Sequence, residues 1–482
     1  MHRRLRPQDL SLLALESPAT PLHNVTVEIL DPADSGFDHG ALLQLIEDRI
    51  AFVPRYRQRL HRIPGGLAPP IWLDDPDFDL GYHVRRSALP RPGSEEQLRE
   101  LVSRIMSRPL DLHRPLWEVY LVEGLADGRL ALLSKSHQIL VDGVQTVDLG
   151  QVLLDVDPEP RTLERDDWTP ARALGPGRLV ADAVRENVAD PGVLAETVGR
   201  GFGTLGRAAN HGFQAAGALA GALAGRRPTP ESPLHAELSE QRRFVTVRTD
   251  LADYRKVRRA HGGTVNDVIL AALTGALRNW LMTRTESMAG MRSVRAMVPM
   301  SVIDDELEPT SLGSQIMGHL VTLPIGEPSP VVRLHQVSYA FKAHSETGRA
   351  VAANRLAGVA GFAPTTFHAL GTRVALDHRR AGFHVTITNV PGPQFPLFAA
   401  GARMEETYPA PPLLPGHALA IGVTSYDGQV FFGFTADRDA LPDVEILAQC
   451  LTESLEELVE SASGTRARAP RGRGSRKPGG SR

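Results

Sequence analysis

The stretch LALLSKSHQILVDGVQT, residues 130–146, decides how the rest of the chain is read. Residues 130–137 form a mostly apolar run of strand length. From Val144 apolar residues recur at near-helical spacing through Val147 and Val152, so a loop joins strand to helix. Asp142 and Gly143 fall at the end of that loop. An aspartate before a helical run caps free N–H groups, and a glycine turns the backbone where a side chain would clash. This local reading accounts for Asp142 and Gly143 and leaves His137 as a strand-end histidine.

Moving outward, WEVYLV at 117–122 reads as the strand before it, joined through the turn-prone EGLADGR. Residues 24–30 alternate, with Val25, Val27 and Ile29 on one side, and residues 97–106 place Leu98, Leu101, Val102 and Ile105 on one helical face. Residues 1–160 therefore form an α/β layer. Pro, Arg and Asp then punctuate 157–176, an Ala/Gly-rich helical stretch fills about 178–225, and RRPTPESP interrupts regular structure, so 161–242 reads as a long helical linker. A second domain spans 243–463. Its clearest helix is 264–284, capped by Thr264, with Val268, Ile269, Ala272, Leu273, Ala276, Leu277, Trp280 and Leu281 forming a buried stripe. Strands are expected at 293–300, 316–323, 383–389 and 419–435, the last a hairpin turning at Asp427-Gly428, and a helix at 442–462 closes the domain. The tail 464–482 carries seven Lys/Arg and no acid, a disordered composition that either stays solvated or touches anionic lipid headgroups.

With 482 residues, 42% of them hydrophobic, the chain has material for two cores. A formal charge of −3 argues against a chain-wide nucleic-acid surface. The single cysteine, Cys450, sits in an apolar-periodic run and reads as a buried structural thiol; it rules out a disulfide framework or a Cys-based zinc site. No secretory signal is visible, and the longest weakly polar segment, 213–225, is too short to cross a bilayer. HExxH, GxSxG and Walker A patterns are absent.

The same stretch resembles the HHxxxDG signature of the bacterial bifunctional wax ester synthase/diacylglycerol acyltransferase family, which is related to chloramphenicol acetyltransferase and condensation domains. Aligned on Asp142-Gly143, the first histidine is His137 and the second falls on Gln138. Other patches follow in family order. LRPQDLSLLALESPATPLH at 5–23 is similar to the family's opening, WLDDPDFDLGYHV at 72–84 to its acidic-aromatic segment, and Pro115, Leu116 and Trp117 to its PLW motif. Asn266 and Asp267 match its ND motif, NVPGP at 389–393 a family turn, and SYDGQVFFGFTAD with Pro442-Asp443 its closing hairpin and helix. Each also has a local reading: a packed indole, a first-turn helix residue, a rigid turn. Ile303 and Ser314 depart from the arginine and asparagine the family commonly has there.

The resemblance implies an α/β fold of two chloramphenicol-acetyltransferase-like lobes with mixed sheets. It implies acyl transfer from acyl-CoA, as co-substrate, to diacylglycerol or a long-chain alcohol, with no metal, cofactor or covalent intermediate. The single cysteine and the missing secretory signal suit the cytoplasm, and peripheral contact at the inner membrane face or lipid bodies stands beside that as an alternative. Substrate contacts fall on Pro115, Leu116, Trp117, Asn266 and Asp267, while Asp142 and Gly143 support the motif. Gln138 occupies the usual base position, and a carboxamide has no useful basicity. His137 is then the candidate base, although neighbouring strand residues face opposite ways, so regular pairing turns it from that position unless the strand end twists or slips. Two alternatives stand beside this: an impaired paralogue that binds acyl-CoA or neutral lipid, and an acyltransferase for another acceptor.

Overall fold

The computed structural model describes residues 4–32, 35–63, 68–141, 148–159, 168–171, 175, 177, 178, 181, 232–284, 292–301, 316–344, 364–377 and 382–464. Asp142, Gly143, Ile303, Ser314, the tail from 465 and most of the linker lie outside them.

The first half contains α1 (Pro7–Leu15), β1 (His23–Asp31), α2 (His39–Arg49), β2 (Gln58–His61), β3 (Ile71–Asp74), α3 (Leu80–His83), β4 (Val84–Ala88), α4 (Glu95–Ser107), β5 (Trp117–Glu123), β6 (Leu130–His137) and α5 (Leu149–Leu153). The second half contains β7 (Arg242–Asp250), α6 (Leu251–His261), α7 (Val265–Thr283), β8 (Val294–Ser301), β9 (Ile316–Leu323), α8 (Pro330–His344) and α9 (Pro364–Asp377). It continues with β10 (Val385–Pro391), β11 (Phe398–Ala399), β12 (Ala402–Ala410), β13 (Leu419–Tyr426), β14 (Gln429–Asp437) and α10 (Val444–Ala462).

Two six-stranded mixed sheets organise these elements, in the orders β11-β12-β1-β6-β5-β4 and β7-β14-β13-β10-β8-β9. Each carries its own buried core. Helix α7 is the axis of the second. Thr264 and Asp267 form a reciprocal capping box at its start, and from Val268 to Leu277 every residue is buried, so it is enclosed on all sides instead of along one stripe. The 419–437 hairpin turns at Asp427 (φ 42°) and Gly428 (φ 83°), the left-handed pair that a two-residue hairpin loop requires.

The sheets do not divide at one point along the chain. Strands β11 and β12 return from the second half to complete the first sheet, β12 pairing antiparallel with β1. In doing so β12 lies across the β13–β14 hairpin. Gly422 and Gly433 face each other in that hairpin beneath Pro409, and a Cβ on Gly422 would meet Pro409 Cγ at 2.8 Å. A Cβ on Gly433 would overlap the Pro409 carbonyl oxygen. Glycine at both sites is what allows the backbones to approach. On the other side, the edge strand β7 docks on α4: the Phe244 N–H donates to Ser103 Oγ at 2.9 Å and the Arg242 N–H to Ser107 Oγ at 3.0 Å. An edge that would otherwise offer free N–H groups is thereby closed by helix hydroxyls.

Helix α9 lies between the halves. Thr366 and Arg373, two turns apart, reach residues of the first half, while His368 and Gly371 on its other side pack against Thr388 of β10.

Candidate active site

Pairing between β1 and β6 runs without a slip to the end of β6, with Asn24 opposite Ser136 and His23 opposite His137. The Gln138 N–H extends the ladder to Leu22 O at 2.9 Å. Alternation therefore holds, and His137 and Gln138 point to opposite faces.

On the first face, both nitrogens of His137 are tied down, and among its buried neighbours His23 Nδ1 is left without a partner. The His137 Nδ1 lone pair accepts the Ile139 N–H at 3.1 Å, which leaves the proton on Nε2; that nitrogen donates to Glu16 Oε2 at 3.1 Å. Glu16 Oε1 also accepts the Leu22 N–H. Burial raises the Glu16 carboxyl, but the hydrogen bond from His137, the Leu22 N–H and the nearby Lys135 outweigh it and hold it below its ordinary value. Beside it, His23 Nε2 meets Met106 O at 2.8 Å, and Lys135, pushed down to about 8 by burial against the opposing pull of Glu118, donates to Ile105 O at 3.1 Å. With both nitrogens of His137 spoken for, no lone pair is left for a substrate proton in this geometry.

On the opposite face, Gln138 is fully buried and Asn24 nearly so. Gln138 Nε2 donates to Asn24 Oδ1 at 2.8 Å, while Gln138 Oε1 and Asn24 Nδ2 have no hydrogen-bond partner among the described residues. Farther along this face lie Ser136, whose hydroxyl donates to Asp148 Oδ2 at 2.8 Å, Ser134 and Glu28. Burial, and then the neighbouring Asp148, push the Glu28 carboxyl up to about 8; burial also raises Asp148, against the bonds from Ser136 and the Gly150 N–H.

Arg373 holds the turn after β6. Its Nη1 donates to the carbonyl oxygens of Gln138 and Val141, each at 3.0 Å, and its Nη2 pairs with the buried carboxylate of Asp9 on α1. Asp9 is also bound by Arg6 at 2.9 Å. Past the motif, the Asp148 N–H donates to Thr366 Oγ1 at 3.1 Å, and the Leu149 N–H to the Tyr56 hydroxyl at 2.9 Å.

The remaining candidates fall into two groups. Trp117 is a packed indole: its Nε1–H donates to Tyr56 O at 2.7 Å and its ring stacks on His83 at 4.7 Å. Leu116 and Pro115 are buried, and Leu116 O accepts the His137 N–H at 3.0 Å, so the PLW segment borders the motif through its backbone. Asp267 is consumed by the Thr264 N–H and by the Ser338 hydroxyl at 2.8 Å. Asn266 instead accepts from Asn389 Nδ2 at 2.7 Å, which joins the ND motif to the NVPGP turn, and both asparagines are half-buried.

Four residues that shape the site, Asp9, Glu16, Asn24 and Arg373, carry no motif of their own. Asp9 and Glu16 lie within the 5–23 stretch, and Asn24 is polar within an otherwise apolar alternation; Arg373 gives no local signal. Among the described residues, no group of three or more His, Cys, Asp or Glu is placed to hold a metal ion.

Comparison with known proteins gives one answer. The family model described as the wax ester synthase/diacylglycerol acyltransferase catalytic domain matches residues 5–269, and the WS/DGAT C-terminal domain matches 312–459. The probable diacylglycerol O-acyltransferase tgs1 of Mycobacterium tuberculosis is 34% identical over 429 residues, covering 88% of each chain. The probable diacylglycerol O-acyltransferase tgs3 of the same species is 44% identical over 262 residues, 54% of this chain and 96% of that one. Among solved structures, the wax ester synthase/diacylglycerol acyltransferase from Marinobacter aquaeolei VT8 superposes with a TM-score of 0.66 at 26% identity, covering 96% of this chain and all of that one. The first condensation domain of the calcium-dependent antibiotic synthetase shares the two-lobed fold at a TM-score of 0.55 and 16% identity, with 97% of each chain covered. Two matched domains in order, and a buried motif turn at the junction of two lobes, place this chain in the wax ester synthase/diacylglycerol acyltransferase family.

Proposed function

We propose that this chain transfers an acyl group from acyl-CoA to the hydroxyl of diacylglycerol or of a long-chain alcohol, yielding triacylglycerol or a wax ester. The observation that supports this most is the immobilised turn after β6, which Arg373 grips from the other half of the chain. In this reading His137, locked by Glu16 and the Ile139 N–H, is a positioning residue that fixes the turn. Gln138 is the side chain presented at the position where the family carries its base. Asn266 and Asn389 offer polar contacts from the second half, and Asp142 and Gly143 support the turn.

A carboxamide orients a hydroxyl but takes no proton, so the general-base contribution, about 10²–10⁴-fold, is missing from this site. Transfer is then slow, and Gln138 equally favours a second reading in which the protein retains acyl-CoA or neutral lipid without turnover. No described helix is long and apolar enough to cross a membrane. The basic segment 465–482 is one candidate for contact with an anionic lipid surface.

The test is acyl transfer from labelled palmitoyl-CoA to diacylglycerol and hexadecanol by the wild type, Gln138→His and His137→Ala. Slow wild-type transfer that rises in Gln138→His supports the enzyme. Palmitoyl-CoA binding without transfer, in the wild type and in Gln138→His alike, supports the binding protein.

A further inference from the structure

The Asn24–Gln138 pair is left half-bonded in the buried interior. It spends one donor and one acceptor on its mutual bond, leaving Gln138 Oε1 and Asn24 Nδ2 unpartnered. Turning both amides over changes the labels and nothing else: one free acceptor would then sit on Asn24 and one free donor on Gln138. A buried amide group without a partner costs about 1–3 kcal/mol. Other orphaned buried atoms among the described residues are mostly single hydroxyls or lone ring nitrogens; here a free donor and a free acceptor belong to two side chains hydrogen-bonded to each other. An alcohol hydroxyl has the matching complement, one proton to give and lone pairs to receive one.

We propose that Asn24, together with Gln138, forms the seat of the acceptor hydroxyl: the hydroxyl donates to one carboxamide oxygen and accepts from the neighbouring carboxamide nitrogen. This rests on the reading above that the acceptor is an alcohol. It adds a residue from β1, and it explains what a glutamine can do where proton abstraction is beyond it. During transfer the hydroxyl oxygen forms the new bond to the acyl carbon, the carbon–sulfur bond breaks with its electron pair going to sulfur, and the hydroxyl proton ends on the released thiol. Neither carboxamide changes its protonation state.

The decisive measurement separates recognition from turnover. Binding of hexadecanol and of hexadecyl methyl ether, which lacks the donor proton, is compared in the wild type, in Asn24→Ala and in the double variant Asn24→Leu/Gln138→Leu. The double variant removes both polar groups without orphaning either, so it keeps a folded reference if Asn24→Ala is unstable. The expected result is about tenfold preference of the wild type for the alcohol, lost in the double variant, while Asn24→Ala, which keeps the Gln138 oxygen that takes the proton, weakens binding of alcohol and ether alike. Equal binding of alcohol and ether by the wild type, or a preference that survives in the double variant, overturns the proposal. Preference that is present and lost as expected, alongside no transfer from palmitoyl-CoA, upholds the seat and refutes the transferase reading. Transfer with an acceptor KM unchanged by Asn24→Ala upholds the transferase and refutes the seat.

Discussion

Removing the Arg373 guanidinium tests whether the motif turn is held from the other half of the chain. Arg373→Met keeps most of the side-chain length and deletes two hydrogen bonds to the Gln138 and Val141 carbonyls together with the pairing to Asp9. Breaking a buried ion pair by removing one partner costs about 3–5 kcal/mol. Asp9 retains Arg6, whose side chain is 31% exposed, so the carboxylate is not stranded and the expected loss falls to about 2–4 kcal/mol. Urea unfolding of the wild type, Arg373→Met, Asp9→Leu and the double variant forms a cycle. A coupling of about 1–3 kcal/mol between positions 373 and 9 is expected. Function supplies the second readout: the freed turn carries Gln138, so kcat is expected to fall by about tenfold or more while KM for acyl-CoA stays within about twofold. Arg373→Lys, which can reach one carbonyl but cannot fork, is expected to fall between the two. A variant within about 0.5 kcal/mol of the wild type, with unchanged kcat, would refute the clamp.

Glu28 gives a pH-dependent prediction: its carboxyl is raised from 4.5 to about 8 in the folded protein, so folding takes up a proton and stability falls as pH rises from 4.5 towards 8. At about 1.4 kcal/mol per pH unit the loss reaches roughly 3 kcal/mol by pH 7, and urea unfolding of Glu28→Gln at pH 5 and 7 is expected to lack that part of the slope. Gly433→Ala drives a Cβ into the Pro409 carbonyl and is expected to cost about 2–3 kcal/mol or more by thermal unfolding; Gly422→Ala, facing the edge of the Pro409 ring, is expected to cost less. Thr264→Ala removes one arm of the capping box of α7, with an expected loss of about 1 kcal/mol. Glu16→Gln leaves His137 with a weaker partner and is expected to lower stability by about 1–2 kcal/mol at neutral pH without touching Asn24 or Gln138.

Much of the frame is legible in local pattern. Strand β6, the capped helix α7 and the 419–437 hairpin each follow from periodicity plus one turn or cap residue, because their stabilising contacts lie close in sequence. The opposite facing of His137 and Gln138 also follows from alternation alone, and the register bears out that geometry. Strand β12 escapes because Glu405, Glu406 and Pro409 read as a polar, broken segment. In the fold Glu406 is buried with Arg129 and Arg248, each at 2.9 Å, and Pro409 sits where the glycines make room. The helix expected from Val144 is described only as Leu149–Leu153, its expected first residues lying outside the described chain. Arg373 could not be found from pattern at all: it is 235 residues from Gln138, and a lone arginine on a helix has no periodic signature.

The two faces of the β1–β6 pair show why the histidine and the glutamine are not interchangeable. On the His137 face a charged or polar group is matched by a carbonyl or carboxylate: His23 by Met106, Lys135 by Ile105, His137 by Glu16. His23 Nδ1 is left unmatched there, but the His137 ring has both nitrogens engaged and nothing left to offer a ligand. On the Gln138 face the polar groups are incompletely matched, with free atoms on Gln138, Asn24, Ser134 and Glu28. That incomplete matching is costly unless something else completes it. Moving the histidine one residue along the strand would thus do more than restore a base. It would place a titrating ring among unmatched amides, next to nothing that fixes its tautomer, so Gln138→His should gain activity only where Asn24 Oδ1 takes its ring N–H. Activity gained by Gln138→His and then lost in Asn24→Leu/Gln138→His would demonstrate that dependence; full activity in the double variant would show that the imidazole needs no partner from β1.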